Sequence, residues 1–365
     1  MINIGKKCLA ALLAASMVFG VTGCGKQKKA KKPYVQSTAE VKNGTAKAEG
    51  KGKQQSEVPL IIGCGRLDKN FNPFLAQAAS DEQVMNLTQT KLFDTDRAGR
   101  LVEKGIDGEL REYNDENYTY YGIADIKKAR RTKANYTVYR ITIRDDLLFS
   151  DGQPITIDDV IFSLYAFCDN DYDGNVQLKS SNIRGLLNYQ ANNAQAESYT
   201  DKQVKKYIRK KPAALQKWMQ KHSSDESGYE SALERQARYL MAKQAKKKTR
   251  VNSIEGIKRL NDYELRIYTT GYDSRFEEKL QIPICPLHYY GDTTKYSYNA
   301  NKFGFKRGDL SAIRANKSSP VGAGAYRFVK YDSGIAYFMA NELYYQGCPK
   351  ITYVCLLYTS PSPRD

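Results

Sequence analysis

Tyr139-Arg140-Ile141-Thr142-Ile143-Arg144-Asp145-Asp146-Leu147-Leu148-Phe149-Ser150-Asp151-Gly152-Gln153-Pro154-Ile155-Thr156-Ile157-Asp158-Asp159-Val160 is the stretch from which the fold is read. Starting just before it, Tyr136, Val138, Ile141 and Ile143 sit among polar partners, which predicts a strand over Tyr136–Ile143. Asp151-Gly152 marks a turn in which glycine supplies a free backbone. Thr156-Ile157-Asp158-Asp159 then opens a helix running to about Cys168, with acids in the first turn where the helix dipole favours them. Paired carboxylates can suggest acid/base chemistry. Adjacent helical residues point apart, so Asp158 and Asp159 read as a helix cap.

Working outward, Val58–Ile62 is a short apolar run ended by Gly63-Cys64-Gly65, and reads as a buried strand feeding a loop. Val84, Leu87 and Leu92 predict a helix over Asp81–Phe93, capped by Ser80. Ile254–Ile257 and Tyr263–Tyr268 predict strands around a turn at Asn261-Asp262. Tyr326–Val329 and Ile335–Met339 predict a hairpin across Asp332-Ser333-Gly334. Gly322-x-Gly324 is incomplete as a phosphate loop and precedes a strand, so a structural turn is expected. Strands and helices mixed without regular alternation argue for a mixed α/β (α+β) chain over a pure parallel sheet.

The chain has 365 residues, 41% hydrophobic and 27% charged, enough apolar material for a sizeable core. The net charge of +17 is unevenly placed. Residues 25–56 hold nine Lys and two Glu, and residues 201–250 hold fifteen Lys/Arg and five Asp/Glu. The rest is close to neutral, so the charge is no signature of nucleic-acid binding and no nucleic-acid partner is expected. Val204, Tyr207, Ile208, Leu215, Trp218 and Met219 give the 201–250 segment helical spacing, and it reads as a solvated insertion. Two histidines, His222 and His288, and no Cys-x-x-Cys pair argue against a metal site. Cys64, Cys168, Cys285 and Cys348 are expected as buried thiols or one disulfide.

Lys6 and Lys7, the apolar run Cys8–Phe19 and the small residues after it have the order of a secretory signal peptide over residues 1–23. The run is too short to span a bilayer. Val21-Thr22-Gly23-Cys24 resembles a bacterial lipobox, which makes Cys24 the expected lipidation site and first mature residue. Residues 24–57 read as a flexible tether too polar to fold alone. At the other end, Cys355–Asp365 does not follow from what precedes. Its back-translation resembles a sequencing adapter read in frame, so residues 355–365 are expected to be a non-native tail and the gene to be truncated there.

Three blocks then resemble the family-5 solute-binding proteins of ABC importers, the oligopeptide, dipeptide and nickel group. The first is the opening stretch, with its Phe149-Ser150-Asp151-Gly152, Pro154 and Asp159-Val160. The second is Ile254-Glu255-Gly256-Ile257 with Asp262-Tyr263-Glu264-Leu265, running to Pro286-Leu287-His288. The third is Pro320-Val321-Gly322-Ala323-Gly324-Ala325-Tyr326, followed by Asn341, Tyr344-Tyr345, Gly347 and Pro349-Lys350. Ala323 and Ala325 stand where the family usually has Thr and Pro.

The resemblance implies a type II periplasmic-binding-protein-like fold that closes over its ligand. Residues 58–345 would form lobe I, including the charged helical insertion at about 187–250. Residues 346–354 would begin the crossover, with lobe II largely missing. It further implies an extracytoplasmic lipoprotein that captures oligopeptides, with ABC permease subunits and the bilayer (through Cys24) as partners, no cofactor and no catalysis. Nickel chelates or oligosaccharides on the same fold are the alternative ligands, and a lipid-anchored enzyme is the alternative class. Family peptides are held extended by main-chain hydrogen bonds. The ligand contacts expected in lobe I are Gly63, Cys64, Gly65 and Arg66.

Overall fold

A computed structural model describes residues 58–359. The expected leader, Cys24, the tether and residues 360–365 lie outside the described residues. In chain order the elements are β1 (Leu60–Cys64), α1 (Ala79–Thr88), β2 (Glu109–Tyr113), β3 (Glu116–Tyr120), β4 (Ala124–Arg131), β5 (Tyr136–Ile143) and α2 (Ile157–Cys168). Then come α3 (Leu186–Ala191), α4 (Asp201–Arg209), α5 (Ala213–Met219), α6 (Tyr229–Gln244), β6 (Ile257–Asn261) and β7 (Glu264–Thr270). The remainder is α7 (Leu287–Tyr290), β8 (Tyr296–Ser297), β9 (Lys302–Phe303), α8 (Ser311–Ala315), β10 (Tyr326–Asp332), β11 (Ile335–Ala340) and β12 (Tyr353–Tyr358).

Two four-stranded sheets carry the body, in the orders β4-β5-β7-β6 and β1-β12-β11-β10. The first is antiparallel throughout. In the second, β1 runs parallel to β12 and the other neighbours are antiparallel. The architecture is the mixed α/β class expected.

The opening stretch folds as read, with one change of face. β5 has the expected bounds, but its buried side chains are Thr137, Tyr139, Ile141 and Ile143, while Tyr136 and Val138 are only half-buried. The strand's period of two ties Tyr139 to the same face as Ile141, and burying that large ring outweighs burying Val138. Thr156 caps α2 in a reciprocal box: its backbone N–H donates to Asp159 Oδ2 at 2.9 Å. α2 itself is apolar nearly all round, which suits a helix enclosed on every side. It shares one core with Tyr139, Ile141 and Ile143 of β5 and Leu265 and Ile267 of β7. A second core gathers Leu67, Phe71, Val84, Ala336, Phe338, Val354 and Leu356.

Four expectations need correction. β1 is not buried: it is the edge strand of its sheet, and its Leu60 and Ile61 are 42% and 61% exposed. Ser80 does not cap α1, whose cap position is Ala78; the Ser80 hydroxyl donates to the Arg66 carbonyl at 2.5 Å. Ile254–Ile257 is a turn and β6 starts where it ends. Gly256 sits there because a Cβ would come within 2.5 Å of the Tyr268 carbonyl oxygen. The helix expected over Asp81–Phe93 ends at Thr88, where Gln89 turns extended as its C-cap.

The charged segment is helical as expected. α4, α5 and α6 close over a small core of Val204, Leu215, Leu233 and Ala237. Arg235 of α6 fastens it to the body, donating to Gln190 Oε1 at 2.7 Å and to the Lys179 carbonyl at 3.0 Å. Cys64, Cys168 and Cys285 are buried free thiols, whereas Cys348, expected with them, is exposed on the segment after β11. No helix among the described residues is long and apolar enough to cross a membrane.

Candidate functional site

α1 has two faces. Ser80, Asp81, Val84 and Thr88 are buried. Glu82, Met85 and Asn86 fall at i, i+3 and i+4, so they share the other face, and with Gln89, the extended residue just past the helix, they line a cleft of about 530 Å³. The buried side chains of Phe74, Leu92, Phe93, Val102 and Ile123 form its apolar floor. Lys91, Asp94 and Asn175 stand exposed around it. Tyr121, Tyr172, Tyr344 and Tyr345 supply aromatic walls.

Backbone hydrogen bonds hold these pieces in place. Leu92 N–H donates to Ile282 O at 2.8 Å and Ile284 N–H to Thr90 O at 3.0 Å, clamping the strand-like segment after α1. Gly324 N–H donates to Thr88 O at 2.9 Å and the Thr90 hydroxyl to Ala323 O at 2.7 Å. A Cβ on Gly324 would lie 2.4 Å from the Leu87 carbonyl oxygen, so only glycine lets this loop lie against the end of α1. The Gly322-x-Gly324 motif is thus the structural turn expected. Tyr172 accepts a hydrogen bond from Val176 N–H at 3.1 Å, and burial pushes its hydroxyl up to about 12, which keeps it a neutral wall. The Tyr344 and Tyr345 rings meet edge to face at 4.9 Å.

None of the expected contacts Gly63, Cys64, Gly65 and Arg66 lines this cleft. The end of β1 is already engaged: Cys64 O accepts from Thr359 N–H at 3.1 Å, and Gly63 lies against the Thr359 side chain. The Cys64 side chain is buried, and burial, then the Asp81 carboxylate, raise its thiol. Gly65 and Arg66 are exposed, but they pack by Ser80 on the opposite face of α1. The cleft residues escape the sequence reading because Glu82 and Asn86 look like a solvated helix face and Gln89 is polar although it is buried past the helix end.

The acids near the fingerprint turn are structural. Asp158 pairs with Arg259 at 2.8 Å and accepts the Tyr296 hydroxyl at 2.7 Å. Asp159 accepts the N–H groups of Thr156 and Leu287, and burial pushes its carboxyl up to about 6. His288 Nε2 lies 2.7 Å from Asp151 Oδ2, joining the Ser150-Asp151-Gly152 turn to α7. Burial acts to raise Asp151, but the bonds from His288 and Gln153 outweigh it and hold the carboxyl below its usual range. These groups fix turns and helix ends. The arrangement in the cleft, an apolar floor with a polar rim, suits reversible capture of a ligand.

Residues 123–365, more than half of the chain, match the family described as bacterial extracellular solute-binding proteins, family 5, middle region, and the chain belongs to that family. Solved structures give similar arrangements. The oligopeptide-binding protein AppA from Bacillus subtilis, in complex with a nonapeptide, is 15% identical with a TM-score of 0.49, over 84% of this chain and 41% of that one. NikZ from Campylobacter jejuni, in complex with Ni(L-His), is 19% identical with a TM-score of 0.41, over 82% and 39%. OppA from Haemophilus influenzae, complexed with RPPGFSPFR, is 16% identical with a TM-score of 0.43, over 84% and 43%. The chain therefore spans about two-fifths of the length of these solved chains. No curated protein matches it.

Proposed function

We propose that the chain is the ligand-capturing part of an extracytoplasmic substrate-binding lipoprotein, held through Cys24 on the outer face of the plasma membrane or in the periplasm. It would hand oligopeptides to the permease subunits of an ABC importer. The observation that carries the ligand class is the cleft beside α1. Its length of apolar floor between Phe74 and Val102 takes side chains, while Glu82, Asn86, Lys91 and Asp94 around it offer donors and acceptors to an extended main chain. The cleft works by binding, and the peptide leaves unchanged.

The described part of the cleft touches a ligand from one side. Association costs most of its rigid-body entropy however few contacts are made, so weak binding is expected, on the order of millimolar. Calorimetry with a mixture of short peptides, followed by mass spectrometry of the recovered mixture, tests this. Saturable weak heat with intact peptides supports the reading. Selective heat from a nickel–histidine chelate or an oligosaccharide would transfer the fold to those ligands, and cleaved peptides would contradict a binding role.

A further inference from the structure

Between Lys202 and Lys221 the chain carries eight Lys/Arg and no Asp or Glu. The structure shows how the first four of these are arranged. Lys202, Lys205, Lys206 and Arg209 fall at i, i+3, i+4 and i+7 of α4, one stripe along the helix. All four are exposed, and among the described residues none has an ion-pair partner. The opposite side of α4 is taken: Val204 is buried, and Tyr207 and Ile208 pack onto the insertion core. Lys210, Lys211, Lys217 and Lys221 are also exposed on the turn and helix that follow.

Like charges at these spacings oppose helix formation. The helix is held in spite of them by the Thr200–Gln203 capping box and by Arg238, which pairs with Asp201 at 2.6 Å. A stripe of unneutralised cations on a helix whose apolar face is already buried cannot insert into anything. It can lie on an anionic surface.

We propose that the α4–α5 face of the insertion docks on an anionic phospholipid bilayer. The argument is charge complementarity, and the choice of a bilayer rests on the proposed anchoring at Cys24. Each basic side chain near such a surface contributes attraction that decays within a Debye length, so the contact is salt-sensitive and depends on several charges together. It would hold the insertion side of the body toward the membrane.

The test uses the full chain carrying Cys24→Ala, so that no acyl chain contributes. It is sedimented with phosphatidylcholine vesicles containing or lacking phosphatidylglycerol, at low and high salt. Binding to the anionic vesicles alone, abolished by salt, is expected. Adding Lys202→Gln, Lys205→Gln, Lys206→Gln and Arg209→Gln should weaken it at least roughly tenfold, while Lys→Arg at the three lysines should retain it. Should the neutralised helix melt early, Lys211→Gln, Lys217→Gln and Lys221→Gln lower the exposed positive charge that follows α4 without touching that helix. Equal binding by parent and both neutralised variants would overturn the proposal and move the attraction to residues 25–56. No binding by the parent, or preference for duplex DNA over vesicles, would overturn it too. Labelling of wild-type Cys24 by fatty acid separates the two readings. A labelled chain whose unlipidated form ignores anionic vesicles loses this proposal and keeps the anchor.

Discussion

α2 and α4 are helices of similar length built for opposite surroundings. α2 has no Lys or Arg and is buried at every position but Asp158, with aromatic neighbours such as Phe74, whose ring lies 5.9 Å from that of Phe162. α4 buries only Val204 and turns its cations outward. α2 is therefore enclosed by the core of the β4-β5-β7-β6 sheet, while the other sheet closes over its own second core. The insertion is a thin shell with its own small cluster, attached through Arg235 and through Ala242 and Tyr239 of α6, which pack with Leu187 and Ala191 of α3. The difference teaches where ligand geometry can be fixed. The cleft is floored by body residues, so it inherits the rigidity of the α2 core, whereas the insertion can change without moving it.

The largest expected effect breaks the body. Phe162→Ala removes a fully buried ring and should cost about 3–5 kcal/mol, read as a lower midpoint in urea unfolding of the whole chain. An unchanged midpoint would contradict the placing of Phe162 at the centre of the α2 core.

The next effect concerns pH. Asp159 is a carboxyl whose folded value is raised, to about 6. The fold therefore favours its protonated form, and its contribution is greatest below the ordinary carboxylate range and is lost as pH rises from about 4 to about 6. The swing is on the order of 3 kcal/mol. Asp159→Asn should remove that slope, so the difference in stability between variant and wild type shifts in the variant's favour on going from pH 4 to pH 7. A difference independent of pH would contradict the burial argument.

The smallest effect is local. Leu215→Ala in α5 opens the insertion core and should cost about 2 kcal/mol there, at the low end for such a change because the shell is thin. Hydrogen exchange should speed up in α4, α5 and α6 while α2 stays protected. Faster exchange in α2 would mean that the two regions share one core after all.

Sequence legibility follows the same division. The helix opening at Thr156–Asp159, the turn at Asp151-Gly152 and the hairpin at Ser333-Gly334 are readable because each is set by neighbours within a few residues, although the cap is Thr156 and the expected cap residues serve it otherwise: Asp159 completes the box and Asp158 pairs with Arg259. The left-handed backbone at Ser333 and Gly334, with φ of 50° and 86°, is a local property of that turn. The exposure of β1 was not readable, since an apolar run looks the same whether or not a neighbour covers it. Ser80 caps nothing because its hydroxyl has a better-placed acceptor fourteen residues away, at Arg66. The cleft was the least legible part. Its walls come from α1, residues 91–94, residues 121–124, Tyr172 and Tyr344-Tyr345, which only the folded topology brings together.

The central claim is that peptides lie in the cleft beside α1 and not at the end of β1. Nuclear magnetic resonance titration of the chain with a short peptide mixture tests it residue by residue. The account predicts saturable shifts at Asn86, Gln89, Phe93, Ile123 and Tyr172, with Gly65 and Arg66 unmoved. Shifts centred on Gly65 and Arg66 with the cleft residues silent would contradict it.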